Sequence, residues 1–327
     1  MLKVSVIVPI YNVEKYIERC VRSLMEQTLD GIEYIFVNDS TPDNSIGILS
    51  QVVRNYPHRR PNVKLINHKT NKGVAAARTT GMKAATGVYQ IHCDPDDWIE
   101  LDMYERLYNK AKETNADIVV CDFVHEMSNE SKIEHVVEIH DFRKDAMKAC
   151  GTYWWSFDNR LIRSSIIANN NIYPVEGINV TEDVNTIMRT FYYASSIEYV
   201  STALYHYNRL NENSYLHGDS TYNTIQQAKS LKFLLSFFSN KKDASEIVKL
   251  LKLSHIATRD SLLAQSKPNW TLWKETLPYT CAFVSEDETL STIYRLFYRL
   301  ASKGFLFPLK LYMWLSNKIK TANESSL

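Results

Sequence analysis

Glycine is scarce in this chain, and the few glycines do not form the loops that many nucleotide-binding folds require. Nine glycines occur in 327 residues. None of them forms Gly-x-Gly-x-x-Gly after the first apolar run, the turn that holds a dinucleotide pyrophosphate. The sequence Gly-x-x-x-x-Gly-Lys-Ser/Thr is absent as well. These absences argue against a dinucleotide-dependent dehydrogenase and against a P-loop nucleotidase.

Paired cysteines, long apolar runs and a strong net charge are also missing. The five cysteines include no Cys-x-x-Cys pair, which fits free thiols in a reducing compartment and disfavours a zinc site. No stretch holds 18 uncharged apolar residues, and the apolar run before Asn12 lacks a signal-peptide cleavage site. We therefore expect a cytoplasmic protein without a spanning helix. The net charge of +1 argues against general nucleic-acid binding.

Apolar runs alternate with helical patterns over residues 1–122. The predicted strands are Val4–Ile10, Ile32–Val37, Val63–Ile66, Val88–Ile91 and Asp117–Cys121. The predicted helices between them begin near Val13, Ile46, Val74 and Leu101. This alternation predicts an α/β fold with a mostly parallel sheet flanked by helices. Ligands of such sheets bind beyond the carboxyl ends of the strands.

Three aspartates follow the fourth predicted strand. Asp94 and Asp96 are two residues apart, so in an extended segment their side chains point to the same side, and Pro95 stiffens the link. Two converging carboxylates suit Mg²⁺ or Mn²⁺, whose coordination is completed by water and substrate phosphates. The pattern therefore indicates a nucleotide diphosphate ligand. The alternative is an acidic turn that caps the helix beginning near Leu101.

Four motifs stand at the ends of the predicted strands and in the loop before the third helix. They are Val6-Ile7-Val8-Pro9-Ile10-Tyr11-Asn12, Val37-Asn38-Asp39-Ser40-Thr41-Pro42-Asp43-Asn44-Ser45, Asn71-Lys72-Gly73-Val74-Ala75-Ala76-Ala77-Arg78-Thr79-Thr80-Gly81 and Asp94-Pro95-Asp96-Asp97-Trp98. In order and spacing they resemble the family 2 glycosyltransferases, which have the GT-A fold, in a non-processive form of the bacterial surface-polysaccharide type. The resemblance implies an inverting transfer of a sugar from a nucleotide sugar, usually a UDP-sugar, with Mg²⁺ or Mn²⁺.

The resemblance also implies roles for individual residues. Asp94 and Asp96 would bind the metal and the diphosphate, and Asp39 would read the uracil edge. The family loop Asp-Asp-Gly-Ser-Thr-Asp is replaced here by residues 38–43, which contain no glycine. The residues expected to contact the nucleotide sugar are Pro9, Tyr11, Asn12, Asp39, Asn71, Gly73, Arg78, Asp94, Asp96 and Arg209.

An inverting transfer also needs a general base for the acceptor hydroxyl, and a carboxylate bound to a cation is a poor base. Thr181-Glu182-Asp183 resembles the Glu-Asp motif of the family, which implies Asp183 as the base and Glu182 as a second catalytic residue. The alternative is a helix start, because Thr181 and Asp183 suit an N-terminal turn and Glu182 suits the helix dipole.

The sequence gives fewer indications of which residues contact the acceptor. Trp98, beside the aspartates, and Trp155 are candidates for contact with the acceptor, although the adjacent tryptophans Trp154 and Trp155 would equally suit a core. Arg209 lies in a segment that resembles the family's loop over the diphosphate and is expected to pair with phosphate oxygens. Gln-x-x-Arg-Trp is absent, which argues against a processive polymer synthase.

From about Tyr222 the chain is predicted to be helical. Residues 291–320 are rich in aromatic residues and contain six Lys or Arg and no Asp or Glu. Such a stretch can lie on an anionic membrane surface, here the inner face. A helix pair packed on the first domain, or a dimer face, is the alternative. The predicted division is a GT-A catalytic domain over residues 1–221, with a nucleotide-sugar part (1–122) and an acceptor part (123–221), followed by a helical region (222–327).

The sequence thus predicts a metal-dependent glycosyltransferase that moves one sugar, with inversion, from a UDP-sugar to a glycan or lipid-linked acceptor. Two alternatives stay open. A sugar-nucleotide nucleotidyltransferase would share the layout, although its glycine-rich N-terminal loop is missing. A catalytically silent relative that binds glycans or serves as a scaffold would keep the sheet without turnover.

Overall fold

The computed structural model describes residues 2–149, 156–211, 220–263, 269–286 and 290–324, and it forms two compact units, Met1–Ser214 and Tyr215–Leu327. The strands of the first unit are β1 (Val4–Ile10), β2 (Ile32–Asn38), β3 (Val63–Asn67), β4 (Tyr89–His92), β5 (Trp98–Ile99), β6 (Ile118–Glu126), β7 (Ser131–Glu134), β8 (Arg160–Arg163) and β9 (Ile197–Asn208). Its helices are α1 (Ile17–Met25), α2 (Ser45–Arg54), α3 (Val74–Ala84), α4 (Met103–Thr114), α5 (Phe142–Asp145), α6 (Ser164–Asn170) and α7 (Glu182–Tyr193). Short 3₁₀ turns lie at Arg60–Asn62 and Ala146–Ala149.

One mixed sheet runs through the first unit in the order β3-β2-β1-β4-β8-β6-β9-β5, and β7 pairs with β6 off that path. The strands β3, β2, β1 and β4 are parallel neighbours. β8 is antiparallel to both β4 and β6, and β5 is antiparallel to β9, whereas β6 and β9 are parallel. The predicted α/β class is confirmed. The antiparallel pairings involve the strands that follow the alternating part of the sequence, together with the short β5.

Within the parallel half, the strands β1, β2 and β4 are buried on both faces. All seven residues of β1 and six of the seven in β2 are buried, as continuous β-branched runs predict. On α1, the stripe Ile17, Val21 and Leu24 joins the same core. The sequence pattern places the start of this helix near Val13, but α1 begins at Ile17. Residues 13–16 form a turn in which the amides of Tyr16 and Ile17 both donate to the Val13 carbonyl.

The buried carboxylate of Glu33 on β2 connects the strands of the parallel half by hydrogen bonds. Its Oε1 accepts hydrogen bonds from Ser5 Oγ at 2.7 Å and from the Thr86 amide at 2.6 Å. Its Oε2 accepts from Lys64 Nζ at 2.6 Å. Burial by itself would raise the pKa of Glu33, but these hydrogen bonds, led by that of Lys64, lower the pKa to about 2. The ionised Glu33 therefore links β1, β3 and the approach to β4.

Parallel pairing brings the carboxyl ends of β1, β2 and β4 to one edge of the sheet. The loops that begin at Tyr11, Asp39 and Cys93 gather there. Ligands of parallel sheets bind at this edge, so we expect the functional site at these loops.

The second unit is helical over its described residues. Its helices are α8 (Ser220–Phe238), α9 (Ser245–Ser261), α10 (Trp270–Glu275), α11 (Thr280–Glu286), α12 (Thr292–Ser302) and α13 (Phe307–Glu324). The predicted helical C-terminal region is confirmed. Its core surrounds Trp273 and Tyr298, which donate hydrogen bonds to the half-buried Asp260 from Nε1 at 3.1 Å and from the hydroxyl at 3.0 Å. None of the helices in the described ranges combines the length and apolar composition needed to cross a bilayer.

Candidate active site

The buried carboxylate of Asp39 fixes the loop that precedes α3. Oδ1 accepts a hydrogen bond from the Lys72 amide at 2.9 Å, and Oδ2 accepts one from the Gly73 amide at 2.7 Å. His68 Nδ1 lies 2.6 Å from Oδ1, and Asn71 Oδ1 also accepts from the Gly73 amide, at 3.0 Å. Asp39 therefore organises the Asn71–Gly73 loop. The contact of Asp39 with a uracil base stays a prediction.

Gly73 permits a close contact between this loop and the segment before α7. Its φ is +88°, and a Cβ at this position would lie 2.4 Å from Asn179 Oδ1. The same Asn179 oxygen accepts a hydrogen bond from the Ala75 amide at 3.3 Å in the first turn of α3. Only glycine combines this backbone conformation with such a close neighbour. The contact joins the nucleotide-side loop to the chain that leads into Glu182 and Asp183.

Asp97 anchors the acidic loop after β4. Its Oδ2 accepts from the Tyr205 hydroxyl at 2.5 Å, and its Oδ1 accepts from the Asn208 amide at 2.8 Å. The Tyr205 oxygen also accepts from the Asp94 amide at 3.2 Å. The pKa of Asp97 is raised well above its ordinary value by burial and by the charges of Asp96 and Asp94. Asp97 thus holds the loop against β9, and the other two aspartates project from it.

Asp94 and Asp96 meet different partners. Asp94 Oδ1 forms a 2.7 Å ion pair with Arg78 Nη2 and is partly exposed. Asp96 Oδ2 accepts a 2.7 Å hydrogen bond from Asn211 Nδ2. Burial first, and then the charge of Asp94, raise the pKa of Asp96 to about 6. The charge of Asp94 therefore disfavours the ionisation of Asp96.

Arg78 on α3 is the hub of the site. Its Nη2 binds Asp94, and its Nε donates to Glu182 Oε1 at 3.2 Å. Its Nη1 lies 3.2 Å from His92 Nδ1 and 3.9 Å from Asp158 Oδ1. Arg78 is only 3% exposed. One guanidinium therefore links the acidic loop to the start of α7, and its predicted contact with the nucleotide sugar stays a prediction.

Glu182 and Asp183 occupy the first turn of α7. Glu182 is buried against Arg78, and burial and the Asp183 charge raise its pKa to about 8. Asp183 is half-buried, and its Oδ1 accepts from the Val184 amide at 2.7 Å. Its pKa is raised, chiefly by burial. Among the described residues, Asp183 Oδ2 has no hydrogen-bond partner, so this oxygen is available to a substrate.

Backbone strain marks three loops of the site. Asn12, Ser40 and Thr181 have φ values of 55°, 58° and 68°. The left-handed conformation is uncommon for any residue other than glycine and exceptional for a β-branched one such as Thr181. Strained residues cluster at functional sites. Of the other predicted donor contacts at this edge, Pro9 is buried in β1, whereas Tyr11 and Asn12 are exposed.

The carboxylates of Asp94 and Asp96 fit a divalent cation that is shared with a substrate. The repulsion between Asp94 and Asp96, expressed in the raised pKa of Asp96, would be relieved by a cation between them. In the described part of the chain, no group of three or more His, Cys, Asp or Glu is arranged to hold a metal ion. Two carboxylates that leave the remaining positions to water and substrate phosphates are typical of Mg²⁺ sites.

Trp98 lies beside the acidic loop in a packed position. Its ring stacks on His206 at a centroid distance of 5.1 Å, and the Arg19 guanidinium lies 3.1 Å from the ring centroid. His206 Nδ1 and Nε2 each lie 2.8 Å from a carboxylate oxygen, of Glu126 and Glu100 respectively. The contact of Trp98 with an acceptor stays a prediction. The other acceptor candidate, Trp155, lies outside the described residues.

Arg209 follows β9 near the acidic loop. Its Nε donates to His125 Nδ1 at 3.2 Å, and its guanidinium lies 5.5 Å from the Tyr207 ring centroid. The neighbouring Asn208 donates from Nδ2 to the Asp96 carbonyl at 3.1 Å. Arg209 thus directly follows a residue that is bonded to the acidic loop, and its pairing with phosphate stays a prediction.

Sequence reasoning missed Asp158. This residue is buried next to Arg78, and burial and the charge of Asp94 raise its pKa to about 7. It is the one acid among the aromatic and basic residues 154–163, and a single acid in such a segment carries no motif of its own. The missed contacts Asn179 and Tyr205 carry no local signal, because each reaches the site from more than 100 residues away along the chain.

Comparison with known proteins identifies the family. The model of glycosyl transferase family 2 matches residues 5–173. The chain belongs to this family. The matched region contains all four strand-end motifs and ends shortly before Glu182 and Asp183.

Two curated relatives of this family 2 glycosyltransferase are from Bacillus subtilis (strain 168). The uncharacterized glycosyltransferase EpsJ is 34% identical over 219 residues, which cover 64% of this chain and 62% of EpsJ. The putative glycosyltransferase EpsH is 34% identical over 216 residues, which cover 62% of this chain and 60% of EpsH. The match thus spans about three fifths of the length of each relative.

A solved structure shows the same fold. The crystal structure of S. aureus TarS 1-349 in complex with UDP-GlcNAc matches with a TM-score of 0.74 at 19% identity. The match covers 94% of this chain and 90% of the TarS chain. The predicted GT-A type of α/β fold is confirmed.

Proposed function

We propose that this family 2 glycosyltransferase transfers one sugar from a UDP-sugar to a hydroxyl group of a glycan or lipid-linked acceptor, with inversion and with a divalent metal. The observation that carries the proposal is the Arg78 hub, which brings Asp94 and Glu182 onto one guanidinium, at 2.7 Å and 3.2 Å. A paired-carboxylate loop and a separate acidic helix start therefore share one site. The TarS chain of the same fold binds UDP-GlcNAc, which supports a UDP-sugar as the donor.

Asp94 and Asp96 would hold Mg²⁺ or Mn²⁺ together with the diphosphate. When bound, the cation supplies positive charge that neutralises the departing diphosphate. Arg78 keeps Asp94 oriented from the protein side, and Asn211 does the same for Asp96. The nucleoside lies, in this proposal, along the loops of Asn12, Asp39 and Asn71.

Asp183 would act as the general base. As the acceptor oxygen forms its bond to the anomeric carbon, the bond from that carbon to the diphosphate oxygen breaks, UDP leaves, and the acceptor proton passes to Asp183 Oδ2. Direct displacement of this kind inverts the anomeric centre. The raised pKa of Asp183 strengthens it as a base, because a carboxylate with a higher proton affinity takes up the proton more readily.

Glu182 suits a different role. Its Oε1 is engaged by Arg78, and its pKa of about 8 favours the neutral acid near neutral pH. We assign Glu182 to the orientation of Arg78 and of the first turn of α7. Trp98 and Trp155 are the proposed acceptor contacts, and a lipid-linked acceptor would be met at a membrane surface through residues 291–320.

Release of UDP tests the proposal. The purified chain is incubated with a panel of UDP-sugars and Mn²⁺, and UDP and pyrophosphate are measured separately. We expect slow UDP release without an acceptor, loss of that release with a chelator, and recovery when Mn²⁺ is restored in excess. Asp96→Asn should lower UDP release at least about tenfold because one of two metal ligands is weakened.

Asp141→Asn is the matched control. Asp141 is also hydrogen-bonded and partly exposed, but it caps the start of α5, where it pairs with Arg143 and Lys144. Pyrophosphate in place of UDP would overturn the proposal in favour of a nucleotidyltransferase. Nucleotide binding without any turnover across the panel would support a silent, glycan-binding relative instead.

A further inference from the structure

Exposed apolar side chains are concentrated in the last two helices. Seven of the 14 large apolar side chains that are exposed in the described residues lie between residues 293 and 315. Phe307 is 74% exposed, and Trp314 is 53% exposed. Single exposed apolar residues are ordinary, but a concentration of this kind marks an interaction site.

These side chains form one stripe on each helix. On α12, Ile293 and Leu296 are exposed and lie three residues apart, so they share a face. The opposite face carries Tyr298 and Ala301, which are buried in the core of the unit. α12 therefore has two apolar faces. One is packed in the core of the unit, and the other is exposed.

The stripe on α13 is longer. Phe307, Leu311 and Trp314 follow the spacing i, i+4, i+7 and are all exposed, whereas Leu309 is buried. The two helices pack on each other through the rings of Tyr294 and Tyr312, whose centroids are 5.5 Å apart. The two stripes thus lie on neighbouring helices. We call Ile293, Leu296, Phe307, Leu311 and Trp314 the exposed stripe.

The exposed stripe is accompanied by positive charge. Arg299, Lys303 and Lys310 are exposed on or between the same helices. Residues 291–320 contain six basic and no acidic residues. When the preceding acids of residues 286–288 are included, six basic and three acidic residues still leave a net charge of +3. A protein partner for this stripe would need both apolar and acidic groups, and an anionic bilayer offers both across its whole surface.

We propose that α12 and α13 bind the headgroup region of an anionic lipid bilayer, with the exposed stripe inserted and the basic residues facing lipid phosphates. Aromatic side chains on an apolar face beside basic residues are typical of helices that lie in the plane of an interface. Each basic residue near an anionic surface adds to the attraction. The binding itself does not rest on the proposed transfer, because it needs neither donor nor metal.

Vesicle sedimentation tests this surface with the full chain. Vesicles of phosphatidylcholine with one third phosphatidylglycerol are compared with vesicles of phosphatidylcholine alone, without UDP-sugar or metal. We expect binding to the anionic vesicles and at least about tenfold weaker binding to the neutral ones. Lys303→Gln with Lys310→Gln should weaken binding about 30-fold, since two attractive charges are removed. Phe307→Gln with Trp314→Gln should weaken it at least about 100-fold, since two large apolar groups no longer insert.

The control changes two exposed apolar residues elsewhere. Leu65→Gln with Ile133→Gln alters two exposed side chains on β3 and β7 of the first unit and should leave vesicle binding unchanged. All variants change exposed side chains, and their far-ultraviolet circular dichroism should equal that of the parent. Equal sedimentation of the parent and the Phe307/Trp314 variant would overturn the proposal. So would a dimer in sedimentation velocity that this variant dissociates, together with no vesicle binding, because the stripe would then serve a second copy.

Discussion

At the scale of single residues, the buried carboxylates of the first unit differ in how fully they are hydrogen-bonded. Glu33 accepts four hydrogen bonds, from Ser5, Thr86 and Lys64, and its pKa is lowered to about 2. Asp96 and Asp158 have pKa values raised to about 6 and 7 by burial and by neighbouring acids. The hydrogen bonds to Glu33 stabilise the folded state, whereas burial and neighbouring acids disfavour the charged forms of Asp96 and Asp158.

Glu33→Gln should lower the free energy of unfolding by about 2 kcal/mol at pH 7, because an amide cannot accept all four hydrogen bonds. Since the folded pKa lies below the unfolded one, the stabilisation is present above about pH 4.3 and is lost as the pH falls towards 2. Urea unfolding across this range measures both effects. Asp30→Asn, whose side chain is 96% exposed, should stay within about 0.5 kcal/mol of the parent. A constant difference between parent and Glu33→Gln from pH 7 to pH 2.5 would contradict this account of Glu33.

The rate of transfer should depend on pH through Asp183. The base works deprotonated and its pKa is raised, so kcat should fall as the pH drops through a value above the ordinary aspartate pKa of about 3.9. Steady-state kinetics with saturating donor and acceptor measure this limb. A kcat that is level down to pH 4 would mean that a group of ordinary acidity, or no base, takes the proton.

At the scale of elements, the site depends on how the first turn of α3 meets the chain before α7. Gly73 and Gly177 both have positive φ, but only a Cβ at Gly73 would strike Asn179, while a Cβ at Gly177 has nothing within 4 Å. A comparison of alanine substitutions at the two glycines therefore separates the effect of backbone strain from the effect of displacing Asn179.

Gly177→Ala should cost about 1 kcal/mol of unfolding free energy through strain alone. Gly73→Ala should cost at least about 1 kcal/mol more and should lower kcat/KM roughly tenfold, because the displaced Asn179 shifts the approach to Glu182 and Asp183. Urea unfolding and transfer assays on the two variants measure this. Equal losses of both stability and activity in the two variants would show that the contact with Asn179 is unimportant.

The sequence predicts elements where the periodicity is strong and local. The buried strands β1 and β2 and the helices α2 and α3 lie where continuous apolar runs and helical spacing place them. The two-residue strand β5 has no such signal, because it exists only through its pairing with β9 at His206 and Tyr205. The packing of Asn179 on Gly73 was equally invisible, since it depends on a contact between residues 106 positions apart.

At the scale of the whole molecule, the sequence predicts that the acidic loop is part of a site, but it does not predict the hydrogen bonds and ion pairs that hold the loop. The motifs that follow the buried strands predict which residues lie at the carboxyl edge of the sheet. Asp158 was missed because its role arises from its position beside Arg78, which only the folded sheet establishes. Likewise, the sequence indicates that residues 291–320 are basic and aromatic, but only the helix faces separate Leu309, which is buried, from Phe307 and Trp314, which are exposed.

Binding of the donor nucleotide should stabilise the chain only when a divalent cation is present. At about 100 times its Kd, a ligand that binds the folded state alone adds about 2.7 kcal/mol. For a unit of this size we expect a Tm rise of about 5–10 °C with UDP and Mn²⁺ together. Differential scanning calorimetry should show no such rise with UDP and a chelator. An equal rise without the cation would remove the metal from donor binding.

The most direct test of the central claim, that Asp183 takes the acceptor proton beside a cation held by Asp94 and Asp96, is the turnover of Asp183→Asn. The exchange keeps the shape of the side chain and removes the base. We predict that kcat falls about 10²–10⁴-fold while the Kd of the UDP-sugar with Mn²⁺ stays within about twofold of the parent. The control Glu176→Gln, an exposed acid in the preceding loop, should transfer at the parental rate. Parental kcat in Asp183→Asn would contradict the account.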